Sequence, residues 1–196
     1  VVRRARFEGL VKARLKRAVE LLAGAIAWLQ VGWVLRTTQP GDKIVVLDID
    51  NTIADAWPSF LRPFDSQRSR LASLEVLPNV KGVAHDAPVA EGATIIYLSH
   101  RNLWEWPVTY RWLRGNGFAV RPDRVLVVPS AAAKVPYLRR LARGRDVTFW
   151  DDLSRGHETG EIEFYAEVIE SLAGVSLTYR GWDDIVTLTG KGLERD

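Results

Sequence analysis

Ile44-Val45-Val46-Leu47-Asp48-Ile49-Asp50-Asn51-Thr52 is the stretch whose reading decides the fold. Four apolar residues, three of them β-branched, form the run required of a strand buried on both faces, and they lead directly into two aspartates one residue apart. In an extended backbone, residues i and i+2 project to the same side. Asp48 and Asp50 are therefore expected to emerge together from the end of a buried strand, where two carboxylates need a cation or a proton.

Downstream, the same strand-then-polar pattern recurs. Thr94-Ile95-Ile96-Tyr97-Leu98-Ser99 reads as a second buried strand ending at Ser99, Arg124 to Val128 as a short third, and Val147 to Trp150 as a fourth that runs into Asp151 and Asp152. Between them lie helical patterns: Trp104 to Gly115, closed by a left-handed cap at Gly117, and Lys134 to Arg143, with Pro136 in its first turn. Glu161 to Leu172 reads as a helix, Val175-Ser176-Leu177-Thr178-Tyr179 as a last strand, and the tail from Asp183 as a short helix. Strands alternating with helices predict an α/β fold, a Rossmann-like three-layer α/β/α arrangement around a mainly parallel sheet.

Between the first two strands, Ile53 to Gly92 is a small insertion. Pro58 and Pro63 argue for an irregular start, Asp65 for the N-cap of a short helix through about Leu74, and residues 79–85 for a second helix.

Ahead of the first strand, residues 3–36 read as one long helix, joined through the turn-forming Thr37 to Lys43. The reading divides the chain into this helix and linker, residues 1–40, and a catalytic domain, residues 41–196, with the insertion at about 53–92. Leu15, Val19, Leu22, Ile26, Leu29 and Trp33 recur at spacings of three and four and mark the expected packing face of the helix. Residues 1–40 carry eight Lys/Arg against two Glu, a net +6, so the rest of a chain with total charge +3 is acidic. A basic, apolar helix suits packing on its own domain, a second copy in a homo-oligomer, or a membrane surface. Glu20 and Gln30 inside the apolar stretch count against a spanning helix, and Leu35-Arg36-Thr37-Thr38 is a poor signal-cleavage site. The chain is thus expected in the cytoplasm, either free or associated with a membrane.

With no cysteine among 196 residues, disulfides, thiolate metal sites and cysteine nucleophiles are excluded. His85 and His157 have no ligand-like spacing, which argues against zinc. In an open α/β sheet, ligands bind outside the carboxyl ends of the strands. That topology gathers Asp48, Asp50, Ser99, Asp151 and Asp152 in one crevice, with Lys134 at the start of a helix able to enter it. Such an oxygen-rich set suits a hard cation, most simply Mg²⁺, with a phosphate beside it. Taken alone, the first Asp pair is equally compatible with a helix cap or a structural calcium loop.

Four motifs in order change that balance. Asp48-Ile49-Asp50-Asn51-Thr52 resembles the D-x-D-x-T first motif of the haloacid dehalogenase (HAD) superfamily, and Leu98-Ser99-His100-Arg101 its second. Lys134 stands where that family's lysine is expected, and Trp150-Asp151-Asp152-Leu153 resembles its paired acidic fourth motif. The resemblance covers residues 44 to about 152 and implies strand order 5-4-1-2-3. It implies Asp48 as nucleophile and metal ligand, and Asp50 as general acid and base whose backbone carbonyl also binds the metal. It further implies Ser99 on a phosphoryl oxygen, Lys134 neutralising nucleophile and phosphate, and Asp151 with Asp152 holding Mg²⁺. Thr52, His100 and Arg101 are expected on the substrate side. Arg101 suits either a phosphate or an ion pair with Asp151 or Asp152. Asn51 stands where many members have glycine, and asparagine tolerates the left-handed backbone.

The implied activity is Mg²⁺-dependent phosphomonoester hydrolysis through an aspartyl-phosphate. The alternative is an inactive HAD-fold scaffold that uses its N-terminal helix to recruit a partner or a membrane. Both gaps between motifs are too short for a large lid, which implies a minimal-cap member with an open site. Trp57, Phe60, Arg62, Phe64, Trp104 and Trp106 are candidates for an aromatic and cationic rim, or for packing of the insertion. Leu98-Ser99-His100-Arg101 followed by Thr109-Tyr110-Arg111-Trp112-Leu113 is also similar to the phosphatase domain of polynucleotide kinase-phosphatases. Small HAD phosphatases acting on lipid phosphates offer a second similarity. The substrate classes implied are a small phosphorylated molecule, a polynucleotide end or a lipid phosphate.

Overall fold

A computed structural model describes residues 2–159 and 161–190, with side chains from residue 13 onward except at 158. The chain opens with helix α1 (Val2–Thr37) and strand β1 (Lys43–Leu47). The insertion carries β2 (Ala54–Asp55), α2 (Trp57–Phe60), α3 (Gln67–Ala72), β3 (Glu75–Val76), α4 (Pro78–Lys81) and α5 (Ala87–Ala90). Then follow β4 (Thr94–Ser99), α6 (Trp106–Gly115), β5 (Val125–Val127), α7 (Lys134–Leu141) and β6 (Asp146–Trp150). The chain continues through β7 (Ser154–Arg155), β8 (Glu163–Phe164), α8 (Ala166–Ala173), β9 (Thr178–Arg180) and α9 (Trp182–Thr189).

The central sheet has the order β5-β4-β1-β6-β9, all pairs parallel. Counting only its five strands along the chain, this is the 5-4-1-2-3 order read from the other edge. β1 lies in the middle, with Leu47 opposite Tyr97 on one side and Trp150 on the other. Alternation along the strands divides the core into two layers. Ile44, Val46, Ile96 and Leu98 pack with α7 and α8, while Val45, Leu47, Ile95 and Tyr97 pack with Leu71 of α3, Val80 of α4, Trp112 of α6 and Ile185 of α9.

Helix α1 is part of the first layer but rests on a different face from the one its periodicity indicates. Ala23, Ala27, Val31 and Val34 are buried, whereas Leu15, Leu22, Ile26, Leu29 and Trp33 point outward. Small side chains let the helix backbone come close enough to α7 for Tyr137 Oη to donate to the Gly24 carbonyl at 2.9 Å. Arg140 donates to the Trp28 carbonyl at 2.7 Å, and Arg145 to those of Leu35 and Thr38 at 3.0 and 3.1 Å. Gln30, polar within an apolar stretch, donates to the Val125 carbonyl at 3.1 Å. The helix is apolar on both sides, so periodicity alone could not choose between them.

Several boundaries shift for local reasons. The cap of α3 is Ser66, not Asp65: its Oγ accepts from the Ser69 amide at 3.1 Å. Ser66→Ala is expected to cost about 1 kcal/mol, seen in a thermal melt as a fall of roughly 2–4 °C. The second insertion helix is longer than expected, since α4 and α5 are joined by a π-helical turn over Gly82–Asp86. Residues 163–164 are extended rather than helical because they pair with β7, and α8 starts only at Ala166. The last strand begins at Thr178, three residues late: Val175 closes the end of α8, its amide bonded to the Leu172 carbonyl. Gly117 has φ +71°, as a left-handed cap requires.

Candidate active site

The crevice opens at the carboxyl ends of β1, β4 and β6. Asp48 follows β1 and is tied to the neighbouring strand by its amide, which donates to the Trp150 carbonyl at 2.9 Å. Beyond it the chain folds tightly back: the amides of Ile53 and Ala54 both reach the Ile49 carbonyl, at 3.1 and 2.9 Å. Asn51 takes φ +56° in this turn, the left-handed conformation that asparagine tolerates.

Lys134, in the first turn of α7, is buried between two carboxylates. Its Nζ lies 2.7 Å from Asp48 Oδ1 and 2.6 Å from Asp151 Oδ2. Asp151 is fixed from behind by the Leu153 amide, 2.9 Å from Oδ1. Asp152 accepts from Thr52 Oγ1 at 3.3 Å and from Ser154 Oγ, and Ser154 Oγ is 2.6 Å from His157 Nε2. Leu153 has φ +43°, strained for a branched side chain. The strain is sustained by its buried side chain and by its carbonyl, which accepts from the Tyr165 amide at 2.8 Å. That reversal after the acidic pair sends Ser154 back onto Asp152.

One ligand atom from each of Asp48, Asp151 and Asp152 lies within 4.8 Å of the others, and all three residues are buried. Burial raises all three carboxyls and mutual repulsion adds to it, so that Asp48 is pushed up to about 7 against the pull of Lys134. For Lys134, burial opposes the charged form, but the two carboxylates more than offset it and its pKa is raised. Three crowded oxygen donors with one lysine are short of positive charge. A hard divalent cation fits both that deficit and the all-oxygen donor set.

The Asp50 side chain is not part of this trio. Arg101 holds it with two hydrogen bonds, Nε to Oδ2 at 2.7 Å and Nη2 to Oδ1 at 2.8 Å. Burial would raise the Asp50 carboxyl, but Arg101 holds it below the usual carboxylate range. Arg101 is itself anchored by Thr109 Oγ1 at 2.8 Å. Of the two ion-pair partners expected for Arg101, neither is used: the pair forms with Asp50 instead, while Asp151 is taken by Lys134 and Asp152 by Thr52 and Ser154.

Ser99 and His100 line the crevice beside Lys134. Thr52 does not reach its wall: it is fully buried under Asp152, accepting from the Asp152 amide at 3.2 Å. The crevice has a volume of about 410 Å³. Of the six rim candidates only Phe60 and Trp104 line it. Trp57 packs edge-on to His157, and Trp106 stacks on Tyr110 with its Nε1 on the Val125 carbonyl. Arg70, its guanidinium 4.3 Å above the Phe60 ring, joins them from α3.

No protein-family model and no curated protein sequence matches the chain. Among solved structures, it resembles the class C acid phosphatase from Bacillus anthracis, both in a structure with tungstate bound and in another of the same enzyme. In each case the TM-score is 0.50 at 16% identity, covering 91% of this chain and 84% of that one. The fold is HAD-like.

Within that HAD-like fold, sequence reasoning missed four contributors. Ser154 and His157, which brace Asp152, belong to no motif, and only their distance of two and five residues from the acidic pair hinted at them. Arg70 lies in the insertion without a motif around it and is absent from the rim candidates, yet it lines the crevice. Most distant is α1, whose Lys16, Val19, Glu20 and Ala23 form one wall of the crevice. A helix that precedes the first strand carries no signal that it will return to the site.

Proposed function

We propose that the chain is a phosphomonoester phosphatase that works through an aspartyl-phosphate on Asp48. The observation that carries this reading is the buried Asp48–Lys134–Asp151 bridge with Asp152 beside it, at the carboxyl ends of the two central strands. The likeness to an acid phosphatase, one structure of which holds the oxyanion tungstate, supports it.

Asp48, Asp151 and Asp152 would hold a divalent cation, most simply Mg²⁺, which supplies charge neutralisation between a carboxylate nucleophile and a phosphate dianion. Lys134 neutralises Asp48 and the incoming phosphoryl group from the other side, and Ser99 donates to a phosphoryl oxygen. An Asp48 oxygen forms the bond to phosphorus as the ester oxygen leaves, taking a proton from Asp50. Water then attacks the aspartyl-phosphate, Asp50 receives its proton, and phosphate and free Asp48 are regenerated. Asp50 becomes the acid once Arg101 turns its planar guanidinium fork from Asp50 to two oxygens of the phosphate.

The substrate reading is a small phosphorylated molecule entering between Phe60, Trp104 and α1, in a site without a large lid. Polynucleotide ends and lipid phosphates are the other two arms of the test. With Mg²⁺, the protein is expected to release phosphate from a generic aryl phosphate, and a chelator is expected to remove that activity until Mg²⁺ is restored. A substrate panel covering the three classes then ranks them. No turnover on any phosphomonoester with metal bound would overturn the assignment in favour of a scaffold.

A further inference from the structure

The outward face of α1 gathers Leu15, Leu21, Leu22, Trp28, Leu29 and Trp33 as exposed large apolar side chains. Leu15 is 64% exposed, Leu21 68%, Leu22 53% and Leu29 74%, and Trp28 and Trp33 are about half exposed. At 100° per residue these side chains fan over an arc of roughly 140°, directly opposite the buried Ala23, Ala27, Val31 and Val34. Contiguous apolar area of this kind is unusual on a monomer's surface and marks a contact.

Charge tells what the contact is with. Residues 1–40 carry a net +6, and Arg14 and Arg17 stand exposed at the N-terminal end of the apolar arc. A second copy of this chain fits poorly. The seam of a two-stranded coil is narrow and flanked by Glu and Lys that pair across it. Here the positions flanking Leu15, Leu22 and Leu29 are Leu21, Ile26, Trp28 and Trp33, and a parallel copy would bring +6 against +6. A bilayer surface asks for the features present: a broad apolar face, basic residues beside it, and tryptophans at headgroup depth.

We propose that α1 docks this protein flat on an anionic lipid surface through its Leu22–Leu29–Trp33 face. The helix has the length and composition to cross a bilayer, but in this fold it lies in the interface. Its other face is committed to the core, and crossing would strip the hydrogen bonds that Arg140, Arg145 and Tyr137 make to its carbonyls. Docking also sets the crevice beside the headgroups, since Lys16, Glu20 and Ala23 of the same helix form its wall. The inference stands independently of the phosphatase reading, because it uses no catalytic residue.

The test uses the full chain and sedimentation with vesicles of phosphatidylcholine, with or without about a quarter phosphatidylglycerol. The protein is expected to pellet with the anionic vesicles, at least about tenfold more weakly with neutral ones, and to be released by salt. L22E/L29E is expected to abolish pelleting, and R14E/R17E to weaken it about tenfold or more. Circular dichroism and thermal melts of both variants should match the parent, since all four side chains are exposed. Protein that stays in the supernatant with anionic vesicles, or L22E/L29E that pellets like the parent, would overturn the proposal. So would a parent that scatters light as a dimer, fails to pellet and becomes monomeric on L22E/L29E, which would assign the face to a second copy.

Discussion

Asp48→Asn is expected to lower phosphate release by roughly 10⁴-fold or more while raising the melting temperature of the metal-free protein. The two effects have one cause. In the absence of a cation, Asp48 faces Asp151 and Asp152 in a buried site, and its carboxyl is pushed up to about 7. Between about pH 4 and pH 7 the unfolded chain has lost this proton and the folded chain still binds it. The folded state therefore loses stability from this group as pH rises through that window, and the loss is complete above it. Asparagine keeps an oxygen for Lys134 to bond but carries no charge, so the penalty disappears along with the nucleophile. Thermal melts in chelator at pH 8, beside initial rates with Mg²⁺, check both halves. A variant that retains activity removes Asp48 from the chemistry. One that is inactive and also less stable in chelator contradicts the charge-crowding account.

Lys134→Met has the largest expected effect on stability. Lys134 is the cation shared by Asp48 and Asp151, and a methionine of similar reach leaves those carboxylates buried with nothing opposite them. Breaking a buried ion pair from one side costs about 3–5 kcal/mol, which for a chain of this size is a fall of roughly 6–20 °C. Mg²⁺ is expected to restore much of that loss, because a bound cation answers the same deficit. The loss is also expected to shrink as pH falls and the carboxylates take up protons. A variant as stable as the parent at pH 8 in chelator would mean that Lys134 is not what compensates the trio.

Much of this site was legible in the sequence because strand ends are. Ile44 to Leu47 and Thr94 to Leu98 are runs that only a two-sided strand explains, and the polar residue that ends each one has a fixed place at the sheet edge. Asn51 was legible for a similar reason, since few side chains other than asparagine accept φ +56°. What could not be read was direction around a helix and partner choice. Helix α1 offers two apolar faces, and the less striking one, built of Ala23, Ala27, Val31 and Val34, packs because alanine lets backbones approach. Arg101 had Asp151 and Asp152 in prospect as acidic partners, and only three-dimensional placement brings it to Asp50 instead. Thr52 reads as a crevice residue from its motif, yet its hydroxyl spends both its bonds on Asp152.

The clasp between Arg101 and Asp50 ties two equilibria together. Any anion that draws the guanidinium away removes the charge that keeps Asp50 ionised, so the carboxyl becomes a weaker acid and takes up a proton. By reciprocity, protonating Asp50 releases Arg101 and strengthens the site's hold on that anion by the same factor. A phosphate entering this crevice would thus recruit, through its own binding, the proton that its departing alcohol requires.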